Sequence, residues 1–183
     1  MRVIAGSARS LPLRTPEGPD TRPTTDRIKE TLFNMLQNEI PGCVFVDCFS
    51  GSGGIGIEAL SRGAKKAYFI ENAPKALACI QDNLTFTKFT DRAVVLKQDV
   101  CAGLCNIFEK EVDVIFLDPP YGQEQEVRAL TQLAGMKYVT EDTLIIVEAE
   151  IHTDFGYAEG LGLTVLKEKK YKTNKHVYLC RRA

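Results

Sequence analysis

The chain has 183 residues, 44% of them hydrophobic and 26% charged, with a net charge of −1. That is the make-up of one folded domain and excludes a disordered chain or a large multidomain assembly. A chain of this length can bury roughly 70% of its unfolded surface, so it needs neither disulfides nor a metal to hold a core.

Residues 1–15 carry no apolar stretch behind their basic residues, and no run approaches about 18 apolar residues. Neither a signal peptide nor a membrane partner is expected, and the expected location is the cytoplasm. Residues 2–5 and 11–14 are expected to form a small hairpin, against which Pro12 counts. Thr24 or Thr25 can cap a helix whose Ile28, Leu32, Met35 and Leu36 share one face.

From about residue 43 to 150, short apolar runs alternate with helical patterns, the signature of βαβ units and a parallel sheet. Segments 44–48, 67–70, 93–96, 112–117 and 144–147 read as strands, apolar throughout because both faces are covered. Segments 55–61, 74–85, 101–108 and 124–133 read as helices. Segments 163–170 and 175–181 read as an antiparallel pair joined through Thr173 and Asn174. The expected domain is single, residues 1–183, with an N-terminal hairpin and helix extension (1–40) and an α/β core (41–183). Six cysteines (Cys43, Cys48, Cys79, Cys101, Cys105, Cys180) lack CxxC spacing and are accompanied only by His152 and His176. They read as reduced, buried thiols, and no metal site is expected.

Charge is unevenly spread. Residues 1–29 carry six Arg or Lys against three acids, and residues 167–182 carry seven against one, leaving 10 basic and 20 acidic residues between them. Two basic ends brought together make a phosphate-binding face. Lysines 169, 170, 172 and 175 serve equally well to keep an exposed edge hairpin from aggregating.

The most informative stretch is Asp47-Cys48-Phe49-Ser50-Gly51-Ser52-Gly53-Gly54-Ile55-Gly56, between the first core strand and a helix. Gly51, Gly53 and Gly56 satisfy G-x-G-x-x-G, and Glu71 lies 20 residues beyond Gly51, which is also the dinucleotide fingerprint. Asp47 separates the candidates. A carboxylate about 4 Å from a pyrophosphate is repelled by about 4 kcal/mol at an effective dielectric of about 20. A cofactor without phosphate and with a cationic ammonium and sulfonium is attracted instead, and S-adenosylmethionine fits. Glu71 would then accept the ribose hydroxyls and Asp99 the adenine amino group. Each acid alone reads equally as a solvated strand terminus. Three acids ending successive strands on the carboxyl edge coincide with where open α/β sheets bind ligands.

The fourth core strand runs into Asp118-Pro119-Pro120-Tyr121. Two prolines end a strand and make a rigid turn. Beside the glycine loop the same turn has a chemical use. The exocyclic amino group of a base is a poor nucleophile because its lone pair is delocalised into the ring. The Asp118 carboxylate and the Pro119 carbonyl can each accept one of its N–H bonds, which favours a pyramidal nitrogen. Pro120 fixes that carbonyl, and Tyr121 can stack on a base drawn out of its helix. Holding the nitrogen in line with a methyl donor is an orientation effect.

These residues resemble the RsmD-type 16S ribosomal RNA guanine-N2 methyltransferases over almost the whole chain. The likeness rests on Arg22-Pro23-Thr24-Thr25-Asp26-Arg27 leading into a helix with Glu30, Leu32, Phe33 and Asn34, on the Asp47 to Gly56 loop, on Glu71, and on Asp118 to Tyr121. The resemblance implies a Rossmann-like class I methyltransferase fold with a seven-stranded, mostly parallel sheet and an antiparallel C-terminal strand. It implies S-adenosylmethionine as donor, a guanine of 16S rRNA as target and 2-methylguanine as product. Separately, the small surface of one domain makes an assembling small ribosomal subunit the expected partner, and a monomer is expected.

Carried over residue by residue, Asp47, Phe49, Gly51 and Gly53 line the methionine side, with Arg22 and Thr24 in the stretch that closes over it. Glu71 meets the ribose and Asp99 the adenine, with Asn72, Val100 and Asp118 as further candidates for holding the cofactor, and Asp118, Pro119, Pro120 and Tyr121 receive the base. Arg2, Arg9, Arg14, Lys169, Lys170, Lys172 and Lys175 are the candidates for meeting RNA. The segment Ala8-Arg9-Ser10-Leu11 departs from the family in being less basic and lacking an aromatic residue.

Three other readings stand beside this one. An adenine-N6 methyltransferase shares the Asp-Pro-Pro-Tyr chemistry, but the DNA enzymes carry a recognition region for which 183 residues leave no space. A nicotinamide oxidoreductase leaves Asp47 and Asp118 to Tyr121 unexplained. A non-catalytic ribosome-assembly factor would bind RNA through the basic ends alone.

Overall fold

The computed structural model of the protein describes residues 1–16 and 25–182. Helix α1 (Asp26–Met35) is opened by Thr25, whose Oγ1 accepts from the Ile28 amide at 3.3 Å and so satisfies one free donor of the first turn. Its buried stripe is Lys29, Leu32 and Phe33. Ile28 and Met35, expected on that face, are only partly covered, because the stripe is turned toward a carboxylate that holds Lys29.

The core follows as β1 (Val44–Cys48), α2 (Gly54–Ser61), β2 (Lys66–Glu71), α3 (Pro74–Thr87), β3 (Ala93–Lys97), α4 (Val100–Cys105), β4 (Val114–Leu117), α5 (Gln125–Ala134), β5 (Leu144–Glu150), β6 (Leu163–Lys170) and β7 (Asn174–Arg181). The sheet order is β3-β2-β1-β4-β5-β7-β6. Strands β1 to β5 are parallel, and β7 lies antiparallel between β5 and β6. Helices α1, α2 and α3 and the N-terminal segment cover one face, with Phe33, Phe45, Ile57 and Phe69 at its centre. Helices α4 and α5 cover the other, over Val46, Ile70, Leu117 and Val177. Each such fully buried side chain contributes roughly 1.5–3 kcal/mol.

Three expected elements differ in extent. The expected N-terminal hairpin is present but short: Arg2 stands opposite Pro12, and Val3 N donates to Leu11 O and Leu13 N to Met1 O, both at 3.0 Å, with Pro12 at the position of the pair where no amide is required. The helix expected over 101–108 stops at Cys105: the Asn106 side chain donates to Gln98 Oε1 and Ala102 O, and Phe108 is exposed. Asn174 belongs to β7 and not to the turn. The six cysteines are free, but only Cys43 and Cys48 are buried; α4 buries Val100, Gly103 and Leu104 and turns Cys105 outward.

The N-terminal segment is latched by Glu58 of α2, which is fully buried. Its carboxylate accepts from the Ile4 and Ala5 amides (2.8 and 3.0 Å) and meets Arg62 Nε at 2.8 Å and Lys29 Nζ at 3.3 Å. Gly6 passes so close to α2 that a Cβ there would lie 1.9 Å from Ser61 O, so no other residue fits. No helix among the described residues is long and apolar enough to cross a membrane.

Candidate active site

The site lies where the strands end, at the junction between β1 and β4 from which the sheet is built outward in both directions, the place where open α/β sheets leave a crevice. The loop from Phe49 to Gly53 is fastened to the end of β2. Ser50 N and Oγ both donate to Ile70 O, at 3.1 and 3.2 Å, and Gly51 N donates to Glu71 Oε2 at 2.9 Å. Gly51 and Gly53 have positive φ (+54° and +80°), a conformation that a Cβ disfavours. A Cβ on Gly51 would meet nothing within 4 Å, so this residue presents bare backbone to open space, whereas one on Gly53 would lie 3.3 Å from the Ile80 and Phe69 side chains. Phe49 also has positive φ, +59°, and bears that strain while its ring packs on the core under the loop. A Cβ on Gly56 would lie 2.4 Å from the Phe69 ring; this third glycine lets α2 close on β2.

Asp47 is almost fully buried in β1, and its Oδ2 accepts from Gly56 N in the first turn of α2 at 2.9 Å, where the helix dipole favours an anion. Burial pushes its carboxyl well above the usual range; the Gly56 amide opposes that shift, and the charges of Asp118 and Glu71 add to it. Glu71 accepts from Gly51 N with one oxygen and from Asn72 N and Ala73 N (2.8 and 2.9 Å) with the other. One lone pair remains on Oε2 for a ligand hydroxyl. Asn72 is exposed beside it. Asp99 is an exposed N-cap of α4, its Oδ1 accepting from Ala102 N at 3.2 Å, and Val100 behind it is buried.

Asp118 follows the last residue of β4. Its amide donates to Cys48 O at 3.5 Å. No donor among the described residues bonds its carboxylate, which burial and then the charge of Glu148 lift well above the ordinary carboxylate range. Pro119 is buried, while Pro120 and Tyr121 are exposed. Asp47, Glu71 and Asp118 form no ion pair among the described residues. Asp47 and Asp118 hold a proton more tightly folded than unfolded. Their contribution is therefore favourable at low pH and is lost as pH rises through the raised folded values. A bound cation would offset that loss.

On the strand beside Asp118 stands a group that is not among the sequence-based candidates. Glu148 of β5 is buried, with Oε1 held by Asn174 Nδ2 at 2.7 Å and Oε2 at 3.2 Å from His176 Nε2. The His176 ring is fully buried, edge-on to Phe116, with Nδ1 3.3 Å from the Tyr171 hydroxyl. The signal was present: a glutamate inside the apolar run Leu144-Ile145-Ile146-Val147-Glu148-Ala149.

The basic candidates divide. Glu150 pairs with Asn174, which puts the β6–β7 turn on the same carboxyl edge as Asp118, and Lys169, Lys170 and Lys172 are exposed there. Lys175 is buried instead, held by Glu168 at 2.7 Å and laid over the Phe155 ring, so it offers no charge to solvent. Arg2 is exposed and paired with Asp26, and Arg14 is exposed and paired with Asp82. Both sit near the glycine loop: Met1 packs on Gly54, and Asn83 bonds both the Arg14 backbone and Ser52 O. Arg9 is exposed at the far end of α2, where the neighbouring Ala8 amide bonds Ser61. Arg22 and Thr24 lie outside the described residues.

This strand order, with a glycine loop after β1 and an acid ending β2, defines the class I S-adenosylmethionine-dependent methyltransferase fold. The solved structure of Escherichia coli yhhF, described as a candidate methyltransferase, superposes with a TM-score of 0.83 at 30% identity over 100% of this chain and 98% of that one. The family described as Conserved hypothetical protein 95 matches residues 1–180. The ribosomal RNA small subunit methyltransferase D of Haemophilus influenzae is 38% identical over 173 residues, 92% of this chain and 88% of the relative. Its namesake in Escherichia coli K12 is 34% identical over 151 residues, 82% and 75% of the two chains. The chain belongs to this family, the RsmD-type methyltransferases whose motifs its sequence carries.

Proposed function

We propose that the protein transfers a methyl group from S-adenosylmethionine to the N2 amino group of a guanine in small-subunit rRNA. The observation that carries this reading is the Asp118 carboxylate: it stands at the end of β4 with no described donor bonded to it, beside the Pro119 carbonyl and the glycine loop. An acceptor pair placed there suits a group with two N–H bonds.

The residues fit the donor. Asp47 and Glu71 end neighbouring strands with no cation paired to either among the described residues, an arrangement that suits a cation without phosphate better than a pyrophosphate. Gly51 and Gly53, with Asp47 and Phe49, would face its methionine part, Glu71 and Asn72 its ribose, and Asp99 and Val100 its adenine. When bound it supplies an electrophilic methyl group. The chain's own residues hold the acceptor. Asp118 and Pro119 O accept hydrogen bonds from the two amino N–H groups, and Tyr121 stacks on the displaced base. The N–C bond would form as the sulfonium S–C bond breaks to a neutral thioether, and the methylated nitrogen would pass one proton to the Asp118 carboxylate and on to solvent. Lys169, Lys170 and Lys172 on the same edge would meet RNA phosphates.

Small-subunit particles from cells lacking the protein, incubated with it and methyl-labelled S-adenosylmethionine, should take up label that ribonuclease releases. Label confined to ribosomal protein would overturn the substrate class. Charge reversal at Lys169, Lys170 and Lys172 should weaken RNA binding and lower the slope of log affinity against log salt by about one for each phosphate no longer neutralised. An unchanged slope would leave those lysines as protection of the β6 edge.

A further inference from the structure

We propose that Glu148, clamped by Asn174 and His176, is a positioning residue that sets Asp118 as the acceptor of the target amino group. This inference rests on the function proposed above.

The placement is costly for stability. A buried carboxylate demands partners, and an apolar residue of similar volume would serve a core as well or better. Glu148 nevertheless stands on β5 in the strand position next to Asp118, since Leu117 pairs with Val147. Both of its oxygens are engaged from β7, by Asn174 and His176. A proton on His176 Nε2 serves Glu148 and leaves Nδ1 to accept from the Tyr171 hydroxyl, so the clamp is satisfied from its outer end inward. The Phe116 and Tyr171 rings box in the imidazole.

The clamp fixes Glu148, and Glu148 in turn acts on Asp118, whose carboxylate no described donor bonds. Among the described residues, the other charged or titratable groups near the pair are turned to other partners or to solvent. Asp47 lies on the β1 side of Asp118 and is anchored to Gly56. Lys169 pairs with His176 across β6 but is exposed, and Lys175 is turned to Glu168. Tyr121 follows in the Asp118 turn. A fixed negative charge behind Asp118 keeps its carboxylate directed toward the crevice and strengthens it as a hydrogen-bond acceptor.

The test is the pH profile of kcat/KM for methyl transfer to small-subunit particles. In the wild type, activity should fall toward acid as Asp118 takes up a proton. In Glu148→Gln that acid limb should move down by about one pH unit, with kcat lower and S-adenosylmethionine affinity within about twofold. Glu148→Asp should bring the limb back toward its wild-type position. A limb that stays in place in a folded Glu148→Gln protein overturns the inference, because a purely structural role would leave it unmoved.

Should that variant fail to fold, carbon-13 carboxyl NMR of Asp118 in the wild type and in Asn174→Ala decides. An Asp118 midpoint that moves when the clamp on Glu148 is loosened supports the inference, and an unmoved midpoint overturns it. The NMR titration needs no turnover, so it separates the two failures: no methyl transfer in the wild type would sink the proposed function, whereas an active wild type with an unmoved limb would sink only the role of Glu148.

Discussion

Asp118→Ala is expected to abolish methyl transfer, with a loss of about 10³-fold or more in kcat, while S-adenosylmethionine binds within about threefold of the wild type. The two halves of that expectation have separate physical sources. The carboxylate lies at the end of β4, where the Asp118 amide bonds Cys48 O just ahead of the glycine loop, and no donor among the described residues bonds it. Removing it strands no partner and opens no hole in the core. On the proposed function, what is lost is the acceptor that would orient the amino group, and orientation at the reacting atoms is worth orders of magnitude. The groups that would hold the donor, at Gly51, Gly53 and Glu71, are fastened by bonds in which Asp118 has no part. Turnover measured with saturating RNA, alongside calorimetric binding of the donor, checks both halves. Substantial activity in this variant would remove Asp118 from the reaction.

Glu58→Ala should be the most damaging substitution away from the site, costing about 3–5 kcal/mol and lowering the melting temperature by about 10 °C. Glu58 is fully buried and satisfies two backbone amides and two cations at once. Deleting it leaves the Ile4 and Ala5 amides without acceptors and Lys29 buried without its counter-charge. Burial already pulls Lys29 below its ordinary value, and Glu58 is the main group opposing that. Without Glu58 the Lys29 value falls further, so the variant should regain stability as pH rises and the lysine sheds its charge. Adding Lys29→Met should recover part of the loss, since an unpaired buried charge costs more than an apolar replacement. Thermal melts at several pH values check this. A single variant melting within about 2 °C of the wild type would show that the latch does not hold the N-terminal segment.

Much of this was legible in the residues because it is local. The five parallel strands announce themselves as apolar runs, and Gly51, Gly53 and Gly56 mark the loop by backbone needs that hardly any other residue meets. The double proline fixes where β4 ends, and the order of these pieces places them on one edge. What the residues did not reveal are meetings between segments far apart in the chain. Glu148, Asn174 and His176 come together only because β7 inserts between β5 and β6; in the chain Asn174 and His176 lie 26 and 28 residues beyond Glu148.

The same insertion explains Lys175, which counts as basic surface by composition but is covered at Phe155 and Glu168. Asp47 shows a subtler gap. Expected as a charge beside the ligand, it is almost fully buried with one oxygen tied to the first turn of α2, a bond between β1 and α2 that the spacing of the residues does not announce. Lys29, a polar residue by any pattern, became core because Glu58 lies opposite it.

The central claim is that Asp118 and Pro119 present the amino group of a guanine, and the most direct measurement identifies the nucleoside that gains the methyl group. Small-subunit particles labelled by the purified protein should be digested to nucleosides and separated against standards. The account predicts label in 2-methylguanosine, absent when Asp118→Ala replaces the wild type. Label in N6-methyladenosine would contradict it and assign the same acceptor pair to an adenine.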